Sequence, residues 1–397
     1  MIKLKYLLFL SLILAFLWKS FVPLSLKEGS RLPFIFIEYY LNKFDFDSFS
    51  KPKCELDISL KNIFLSANPA DDNAIQKAID NINSGKIFLL DSVYYISSPI
   101  LLKSNVYLIG RNQGTKIINR LNAVSTLVQK VENISDSIYI FIIEKKADII
   151  GQNVFISFHN TGGWNRAIFK IIESKYQSHK AKLILNKSDL NVQNSTQINS
   201  QNSFVFMNNI KNSGLKNIEF TVYTNQYMPD WHRKDFLNSG IVIINSERIL
   251  LHSVKVNNYF GEGVSVQGGS RNCFTNLECR NNYSHGFHLG SLVRESVITN
   301  SNFSNNYGDG IYFCYQVRNC KVANNTIVGN LENGIGGFGG AGDRGNFITL
   351  NLFSNNVKSA IHIYETGNKI CDNVFINNKI FKSNSEYGNL ISNNHYK

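Results

Sequence analysis

From residue 240 onward the chain alternates between apolar and polar positions in short runs, and each run begins at a small residue. Apolar side chains recur at every second position, as in a β-strand, whereas an amphipathic helix would repeat them every three or four residues. The runs begin about two dozen residues apart, at Gly240, Gly263, Gly286, Gly310, Gly334 and Ala360. A period of this length indicates a stacked repeat, and its strand spacing predicts a parallel β-helix.

A pair of turn residues closes each repeat. The pairs are Asn257-Asn258, Asn281-Asn282, Asn305-Asn306, Gly329-Asn330, Asn355-Asn356 and Asn377-Asn378. Asparagine tolerates the left-handed backbone of a tight corner, and its amide can stack on the amide of the next coil. We therefore expect one corner of the β-helix to carry a column of asparagines.

A second signal lies before the repeat. Residues 71–80 (DDNAIQKAID) predict an amphipathic helix that begins at aspartate and ends before Gly85. Four short apolar strands follow, up to Ile109, and then the segment GRNQGTKII. Such a helix would cover the open end of the solenoid, where strand edges otherwise lack partners.

Read together, the string DDNAIQKAID…GKIFLL…YYISSPILLKSNVYLIGRNQGTKII resembles the opening of the pectate-lyase superfamily of pectin-lyase-like proteins. The resemblance covers residues 71–118 closely and residues 240–380 through the repeat. It implies an all-β fold, a right-handed parallel β-helix with an N-terminal capping α-helix. It is specific for the fold and much less specific for the reaction.

The rest of the chain divides by composition. Residues 1–25 hold a thirteen-residue apolar run (6–18) behind two lysines, which is short for a spanning helix and typical of an export signal. No small-residue cleavage site follows, so an uncleaved membrane anchor stays an alternative. Residues 26–66 have no assignment, and residues 67–397 are expected to form the β-helix domain. Residues 125–212 break the repeat and predict a small β insertion. We expect a secreted, periplasmic or surface protein.

The charge balance favours an acidic partner. The chain has 41 Lys and Arg against 29 Asp and Glu, a net charge of +12, yet only 18% of its residues are charged. The excess is diffuse and suits an acidic polymer or surface. No run of five basic residues exists, so we expect no nucleic-acid partner.

The cysteine pattern does not predict a disulfide framework. Cys273, Cys279 and Cys320 fall where the repeat points inward, and Cys273 and Cys320 would lie two coils, about 9.6 Å, apart. We therefore expect buried free thiols. No acidic cluster resembles a Ca²⁺ cage, and no His/Cys spacing fits zinc. We expect neither a metal nor another cofactor.

The alternation assigns an outward face to each strand after the small residue. Ile241, Val264, Phe287, Ile311 and Ile361 start the inward positions. The outward-facing and turn-flanking positions place five titratable side chains on one face. These candidate catalytic residues are Glu262, His285, His288, Asp309 and Tyr312. Such a group is what chemistry on a sugar polymer requires, although polar outward residues are also the ordinary surface of a β-helix.

The first reaction that fits is elimination or C5-epimerisation on a uronic acid. A base removes the proton beside the carboxylate, an acid assists the leaving group or reprotonates the other face, and cations or neutral donors hold the carboxylate. We assign His288 as the base and Tyr312 as the acid. The group that holds the carboxylate is His285 or an arginine, Arg294 or Arg318.

The second reaction is inverting hydrolysis by two carboxyl groups, about 6.5–9.5 Å apart. Glu262 and Asp309, two coils apart, would lie about 9.6 Å from each other. The segment SHGFHLGS (284–291) resembles the GHGxSIGS motif of polygalacturonases, which implies an active-site role for His285. Two other signatures of that family are missing, since LNS (237–239) and YFC (312–314) stand in their places.

Further residues are candidates for substrate binding. Trp231 offers a stacking face for a sugar and Arg233 a cation for a carboxylate. His362 and Tyr364, from the outward columns, are further binding candidates, together with Arg294 and Arg318. A polysaccharide, acidic by the charge argument, is the expected substrate. A non-catalytic glycan-binding or surface β-helix is the alternative from another class, and it should depend on aromatic side chains rather than on His288.

Overall fold

The computed structural model describes residues 61–66, 71–97, 99–112, 114–120, 203–222, 239–337, 342–378 and 388–397. It also describes the backbone of residue 338, of residues 380–382 and of the strands between residues 125 and 200. Within these residues no helix is long and apolar enough to cross a membrane. The N-terminal residues 1–60, with the predicted export signal, lie outside the described residues.

The N-terminal part alternates short strands with one short helix. Its elements are β1 (Asn62–Leu65), α1 (Ala74–Asp80), β2 (Gly85–Leu89), β3 (Val93–Ile96), β4 (Ile100–Leu101), β5 (Val106–Ile109) and β6 (Thr115–Asn119). Ile75 and Ile79 of α1 are buried in the main core. The Gln76 side chain accepts a hydrogen bond from the Leu101 N–H at 2.8 Å and donates one to the Leu101 carbonyl at 3.3 Å. The helix thus caps a strand edge, as predicted. It ends at Asp80, as predicted, and Gly85 opens β2, but it begins at Ala74 after the N-cap Asn73 rather than at the predicted aspartate.

The small insertion is a closed six-stranded barrel with antiparallel pairing. Its strands are β7 (Ser125–Ile134), β8 (Ser137–Ile142), β9 (Asn153–Ser157), β10 (Arg166–Lys175), β11 (Ser178–Asn186) and β12 (Gln197–Ser200). These strands lie within the predicted β insertion, residues 125–212. The chain returns from the barrel to the coils at Val205.

The remaining strands build the coils. They are β13 (Val205–Asn208), β14 (Lys211–Val222), β15 (Ile241–Val256), β16 (Val264–Ser270), β17 (Cys273–Thr275), β18 (Glu278–Arg280), β19 (Phe287–Leu289), β20 (Val297–Thr299), β21 (Asn302–Ser304), β22 (Ile311–Phe313), β23 (Lys321–Ala323), β24 (Thr326–Val328), β25 (Asn333–Phe338), β26 (Phe347–Thr349), β27 (Leu352–Ser354), β28 (Ser359–Ile363), β29 (Lys369–Cys371), β30 (Val374–Ile376), β31 (Ile380–Lys382), β32 (Leu390–Ser392) and β33 (His395–Tyr396).

These strands stack in three parallel rows, one on each face of the solenoid. The first row, here called the groove row, runs through β4, β13, β15, β16, β19, β22, β25, β28 and β31. The second row runs from β1 and β2 to β32, and the third from β3 and β6 to β33. The parallel β-helix predicted by the repeat is confirmed.

The core of the described coils is mainly apolar. The predicted inward residues of the groove row are buried in one core cluster, which also holds a set of phenylalanines: Phe204, Phe220, Phe274, Phe287, Phe303, Phe313, Phe353 and Phe375. Phe274 and Phe287 pack with ring centroids 5.0 Å apart. The alternation was therefore sufficient to assign the inner face of the groove row.

Asparagines line one corner as predicted. Asn258, Asn281, Asn305, Asn355 and Asn377 adopt positive φ angles of 50° to 56°, the left-handed region. The residue after each of them points inward instead. The buried side-chain amides form a ladder from Asn282 through Asn306, Asn330 and Asn356 to Asn378, each amide donating to the next at 2.8 to 3.1 Å.

We expect Asn330→Ala to destabilise the coils strongly. The Asn330 side-chain amide donates to the backbone carbonyl of Phe303 and to the side-chain oxygen of Asn356, and its own oxygen accepts from the backbone and side chain of Asn306. Each buried polar group left without a partner costs about 1–3 kcal/mol, so the free energy of unfolding should fall by about 3 kcal/mol or more. Urea unfolding measures the change. Thr326→Ala, at an exposed site three residues before the turn, is the control and should change stability by less than about 0.5 kcal/mol.

The cysteines correct one prediction. Cys279 and Cys320 are buried and free, as expected, and burial raises the pKa of Cys320 to about 12. Cys273 instead is disulfide-bonded, to a partner outside the described residues. It points away from the core and is buried in a separate outer cluster with Tyr107, Ile109 and Leu250. The preceding Arg271 has φ +56°, which shifts the inward and outward alternation that the prediction had carried across the corner.

Candidate active site

The outward column of the groove row forms the floor of the candidate site. The register pairs Ser265 with His288, His288 with Tyr312, and Tyr312 with Gly336. Because the strands are parallel and in register, these side chains project from the same face at about 4.8 Å intervals. Val242 and Ser265, at the start of the column, are fully buried. The side chains that reach the surface of the floor therefore begin at His288.

Glu262 fixes the His288 imidazole. One carboxylate oxygen, Oε1, lies 2.8 Å from His288 Nδ1, and the other accepts a hydrogen bond from the Ser239 hydroxyl at 2.9 Å. Glu262 is 2% exposed and His288 is 7% exposed. Burial acts to lower the pKa of His288, but the Glu262 carboxylate and Cys314 outweigh it and raise this pKa to about 9. Burial likewise acts to raise the pKa of Glu262, yet His288 holds it below its usual value.

His288 Nε2 is buried and has no hydrogen-bond partner among the described residues. Since Nδ1 faces Glu262 on the preceding coil, Nε2 faces the opposite way, toward the coil of Tyr312 and Cys314. A buried polar atom without a partner is costly. In an enzyme such an atom is a candidate proton acceptor or donor, because its partner is then supplied by the substrate.

His285 and Asp309 form a second histidine–carboxylate pair. The backbone N–H of Asp309 donates to His285 Nδ1 at 2.9 Å. Nδ1 is thus an acceptor, so the neutral ring carries its proton on Nε2. Asp309 Oδ2 lies 3.4 Å from the same Nδ1, and burial lowers the pKa of His285. Burial raises the pKa of the Asp309 carboxyl, which accepts two hydrogen bonds from Asn333 at 2.7 and 2.8 Å.

Tyr312 joins the two pairs. Its ring stacks on His285 with centroids 4.5 Å apart and an interplanar angle of 11°, and meets the His288 ring edge-on at 5.0 Å. Burial raises the pKa of the Tyr312 phenol to about 12. At neutral pH it is a proton donor. The structure therefore brings the five candidate catalytic residues into one contiguous cluster.

Three residues that were not among the predicted site residues support this cluster. Ser239, Asn333 and Ser359 occupy the same position before the small residue as Glu262, His285 and Asp309 do in their own coils. Ser239 bonds Glu262, and the Ser359 hydroxyl donates to the Asn333 side-chain oxygen at 2.7 Å. Extending the column by one coil in each direction would have identified Ser239 and Ser359.

Two glycines give the cluster its shape. A Cβ atom at Gly336 would lie 2.3 Å from the Asp309 carboxylate, and one at Gly337 would lie 2.1 Å from the Phe313 carbonyl oxygen and 2.3 Å from the Tyr312 ring. Gly337 also has φ +70°, in the left-handed region. The glycine-rich coil therefore makes room for Asp309 and Tyr312 themselves.

Arginines form a ladder at the next corner. Isolated parallel bridges join Ser270 to Arg294, Arg294 to Arg318, and Arg318 to Arg344. Arg294 is exposed and the other two are half-buried. The predicted candidates Arg294 and Arg318 thus stand in one column with a third arginine, Arg344. They lie beyond the strands that hold the histidines rather than among them.

The remaining candidates lie farther away. His362 lies in β28, two coils beyond Tyr312, and Tyr364 follows the end of that strand. Their rings contact each other with centroids 4.2 Å apart. Tyr283 and Tyr307 flank the cluster as an exposed stacked pair, 4.8 Å apart and 8° from parallel. Trp231 and Arg233 lie outside the described residues.

Comparison with known proteins agrees with this architecture. Residues 231–380 match the family model described as a right handed beta helix region. No curated protein matches the sequence. The right-handed β-helix that the repeat predicted is confirmed over these residues.

Several solved structures are similar to the chain at low identity. The Agl-KA catalytic domain is 15% identical with a TM-score of 0.48; the match covers 86% of this chain and 55% of that one. Pectate lyase Pel9A is 13% identical with a TM-score of 0.44, over 86% and 82% of the two chains. The tailspike Gp54 of Acinetobacter baumannii bacteriophage AP22, in complex with a capsular saccharide, is 12% identical with a TM-score of 0.28, over 87% and 72%. The chain thus spans about half the length of the first of these structures.

Proposed function

We propose that this protein is a polysaccharide-acting enzyme that performs lyase or C5-epimerase chemistry on an acidic glycan. The observation that carries the proposal is the unpartnered Nε2 of His288, held by Glu262 beside the Tyr312 phenol. A fixed base and a phenolic acid on adjacent coils are the pair that proton transfer at a sugar carbon requires.

The roles follow from the protonation states. His288, once it has lost its proton, accepts the C5 proton through Nε2. Tyr312 donates a proton to the leaving oxygen in a lyase, or to the opposite face of the carbanion in an epimerase. Neutral His285 offers an Nε2–H donor to the substrate carboxylate, where negative charge accumulates.

The arginine ladder supports an acidic substrate. Like charges directly opposite one another on adjacent strands are destabilising. Three arginines in one column, about 4.8 Å apart along the axis, suit a polymer that carries a carboxylate on successive sugars. The net charge of +12 acts in the same direction.

The two alternatives have weaker support. Glu262 is engaged by Ser239 and His288, and Asp309 by Asn333, so neither carboxyl is free to protonate a glycosidic oxygen or to activate a water as inverting hydrolysis requires. A purely glycan-binding solenoid has no use for two histidine–carboxylate pairs. Export to the surface, periplasm or medium completes the proposal, on the basis of the apolar run at residues 6–18.

The test is an activity screen of the purified full-length protein. Alginate, polygalacturonate and glucuronan are compared with neutral glycans, and ultraviolet absorbance of unsaturated uronates and reducing ends are read together. A lyase should raise both signals on an acidic glycan only. If neither rises, solvent deuterium incorporation at C5 tests for the epimerase.

Three results would contradict the proposal. Reducing ends without ultraviolet absorbance would assign a hydrolase. Activity confined to neutral glycans would remove the role of the arginine ladder. If none of the three measurements gives a signal on any acidic glycan, the result would favour a glycan-binding protein over an enzyme.

A further inference from the structure

The outer face of the second row is buried over its first coils. The register places one residue of each coil in a single outward column: Asn62, Lys86, Tyr107, Gly214, Leu250 and Cys273. The column points away from the main core, which the neighbouring Val106 and Leu108 fill instead. Tyr107 and Leu250 are nevertheless only 5% exposed each, Cys273 is 2% exposed, and even Lys86 is buried.

Beyond Cys273 the same column is open. Its next five positions are half-buried or exposed: Val297, Lys321, Phe347, Lys369 and Leu390. Residue type does not explain the contrast, because the covered part holds a lysine and the open part holds apolar side chains. A cover that ends at Cys273 explains it.

The disulfide of Cys273 identifies the cover. The chain has six cysteines, and Cys273 is disulfide-bonded. Four of the others are free: Cys279, Cys314, Cys320 and Cys371. The partner of Cys273 is therefore the sixth cysteine, Cys54, which lies outside the described residues and eight residues before Asn62.

The length of chain between Cys54 and Asn62 fits this bond. Cys273 lies five coils from Asn62 along the column, a distance of about 24 Å at about 4.8 Å per coil. Eight extended residues span at most about 26–29 Å. The two ends meet only if the chain runs almost straight across the row, perpendicular to its strands. It then passes over the covered positions and ends where the burial ends.

The sequence before β1 has the pattern that such a crossing requires. Residues 54–60 read CELDISL, with apolar side chains at every second position. A period of two indicates an extended segment with one apolar face. That face carries Leu56, Ile58 and Leu60 on the same side as Cys54, and it matches the apolar outer cluster of the second row.

We propose that residues 54–61, here called the crossing segment, lie extended across the outer face of the second row and are locked there by a disulfide between Cys54 and Cys273. The apolar side of the segment packs on Tyr107 and Leu250. The two thiols lose two protons and two electrons when the bond forms, and a disulfide donor accepts them as it is reduced to two thiols.

The lock has two consequences. An oxidising compartment keeps such a bond formed, so the lock agrees with the export proposed for the chain and does not depend on any glycan reaction. The residues before Cys54, which include the predicted export signal, leave the solenoid at Cys273 rather than at β1.

Peptide mapping of the purified full-length protein tests the bond. The protein is treated with oxidised glutathione, its remaining thiols are alkylated under denaturing conditions, and it is digested without reduction. We expect alkylation of the four free cysteines and one linked pair of peptides that contains Cys54 and Cys273. The protein should migrate as a monomer on a non-reducing gel. Six alkylated cysteines, a disulfide-linked dimer, or Cys273 bonded to another thiol would overturn the proposal.

Two aspartate substitutions at neighbouring positions test the docking. In glutathione mixtures, the ratio [GSH]²/[GSSG] at which half of the bond is reduced measures how well the segment holds Cys54 near Cys273. Ile58→Asp puts a charge on the apolar side and should move this midpoint at least tenfold toward more oxidising mixtures. Ser59→Asp puts the same charge on the other side and should stay within about twofold of wild type. Both variants should keep the wild-type circular dichroism spectrum, and equal midpoints for the two would contradict the docking.

Discussion

His288→Ala should lower kcat/KM on the acidic glycan by about 10²–10⁴-fold, the usual contribution of a positioned general base or acid. The imidazole is the group whose Nε2 lies unpartnered beside Tyr312, and no other described side chain of the cluster can take over its role. Glu262 is bonded to Ser239, and Nδ1 of His285 accepts the Asp309 N–H. The measurement is the initial rate of unsaturated uronate formation, or of C5 exchange.

The loss must be separated from misfolding. His288→Ala leaves the buried Glu262 carboxylate without its imidazole partner, which costs about 1–3 kcal/mol of the free energy of unfolding. The variant should therefore keep the wild-type circular dichroism spectrum while its urea midpoint falls. Tyr312→Phe should lose activity on the same scale while it preserves the ring stack on His285. His252→Gln, a variant of a half-buried histidine in the second row, is the matched control with full activity expected. A His288→Ala protein that is folded and retains more than a tenth of the wild-type rate would exclude His288 as the base.

The sequence predicted the structure well within the strands, where side chains alternate between the inner and the outer face of the coil. The inward residues from Ile241 to Ile361, the outward column of His288 and Tyr312, and the asparagine corner all follow from the spacing of side chains along a strand. The alternation fails at the corners. Left-handed residues such as Asn245 and Arg271 change the phase, and this is why Cys273 faces outward although simple counting placed it inside.

The contents of the candidate site were predictable only in part. A repeat alignment places His288, Tyr312, Glu262 and Asp309 near one another, but the pairing of Glu262 with His288 crosses between two columns and depends on side-chain rotamers. Whether a carboxyl reaches the groove or lies beneath it depends on the same geometry. The close approach of Asp309 to Gly336 could not be predicted either. A glycine in a repeat shows that a side chain is missing, but not which neighbouring side chain occupies the space.

The pH dependence of kcat/KM should rise to an alkaline plateau. With the pKa of His288 raised to about 9, the base carries a proton at neutral pH and becomes available only as the pH rises through that value. Below it, kcat/KM should fall about tenfold per pH unit, since one proton must be lost. Tyr312 keeps its proton until about pH 12, so the descending limb lies at the upper limit of protein stability. A rate that declines through pH 9 would instead assign His288 as an acid.

Glu262→Gln should move the ascending limb toward lower pH by about 1–3 units, because an opposite charge at hydrogen-bond distance shifts a pKa by that amount. The amide still contacts His288 Nδ1 and the Ser239 hydroxyl, but it no longer stabilises the imidazolium as a carboxylate does, so the effect of burial, which lowers the pKa of His288, gains weight. At neutral pH more of the base is available, so part of the activity lost through poorer ring positioning returns there. Glu278→Gln is the control, since this carboxylate lies in the third row and pairs with Lys255 and Arg280. A limb at the same pH in Glu262→Gln and wild type would show that the ionisation seen in the profile does not belong to His288.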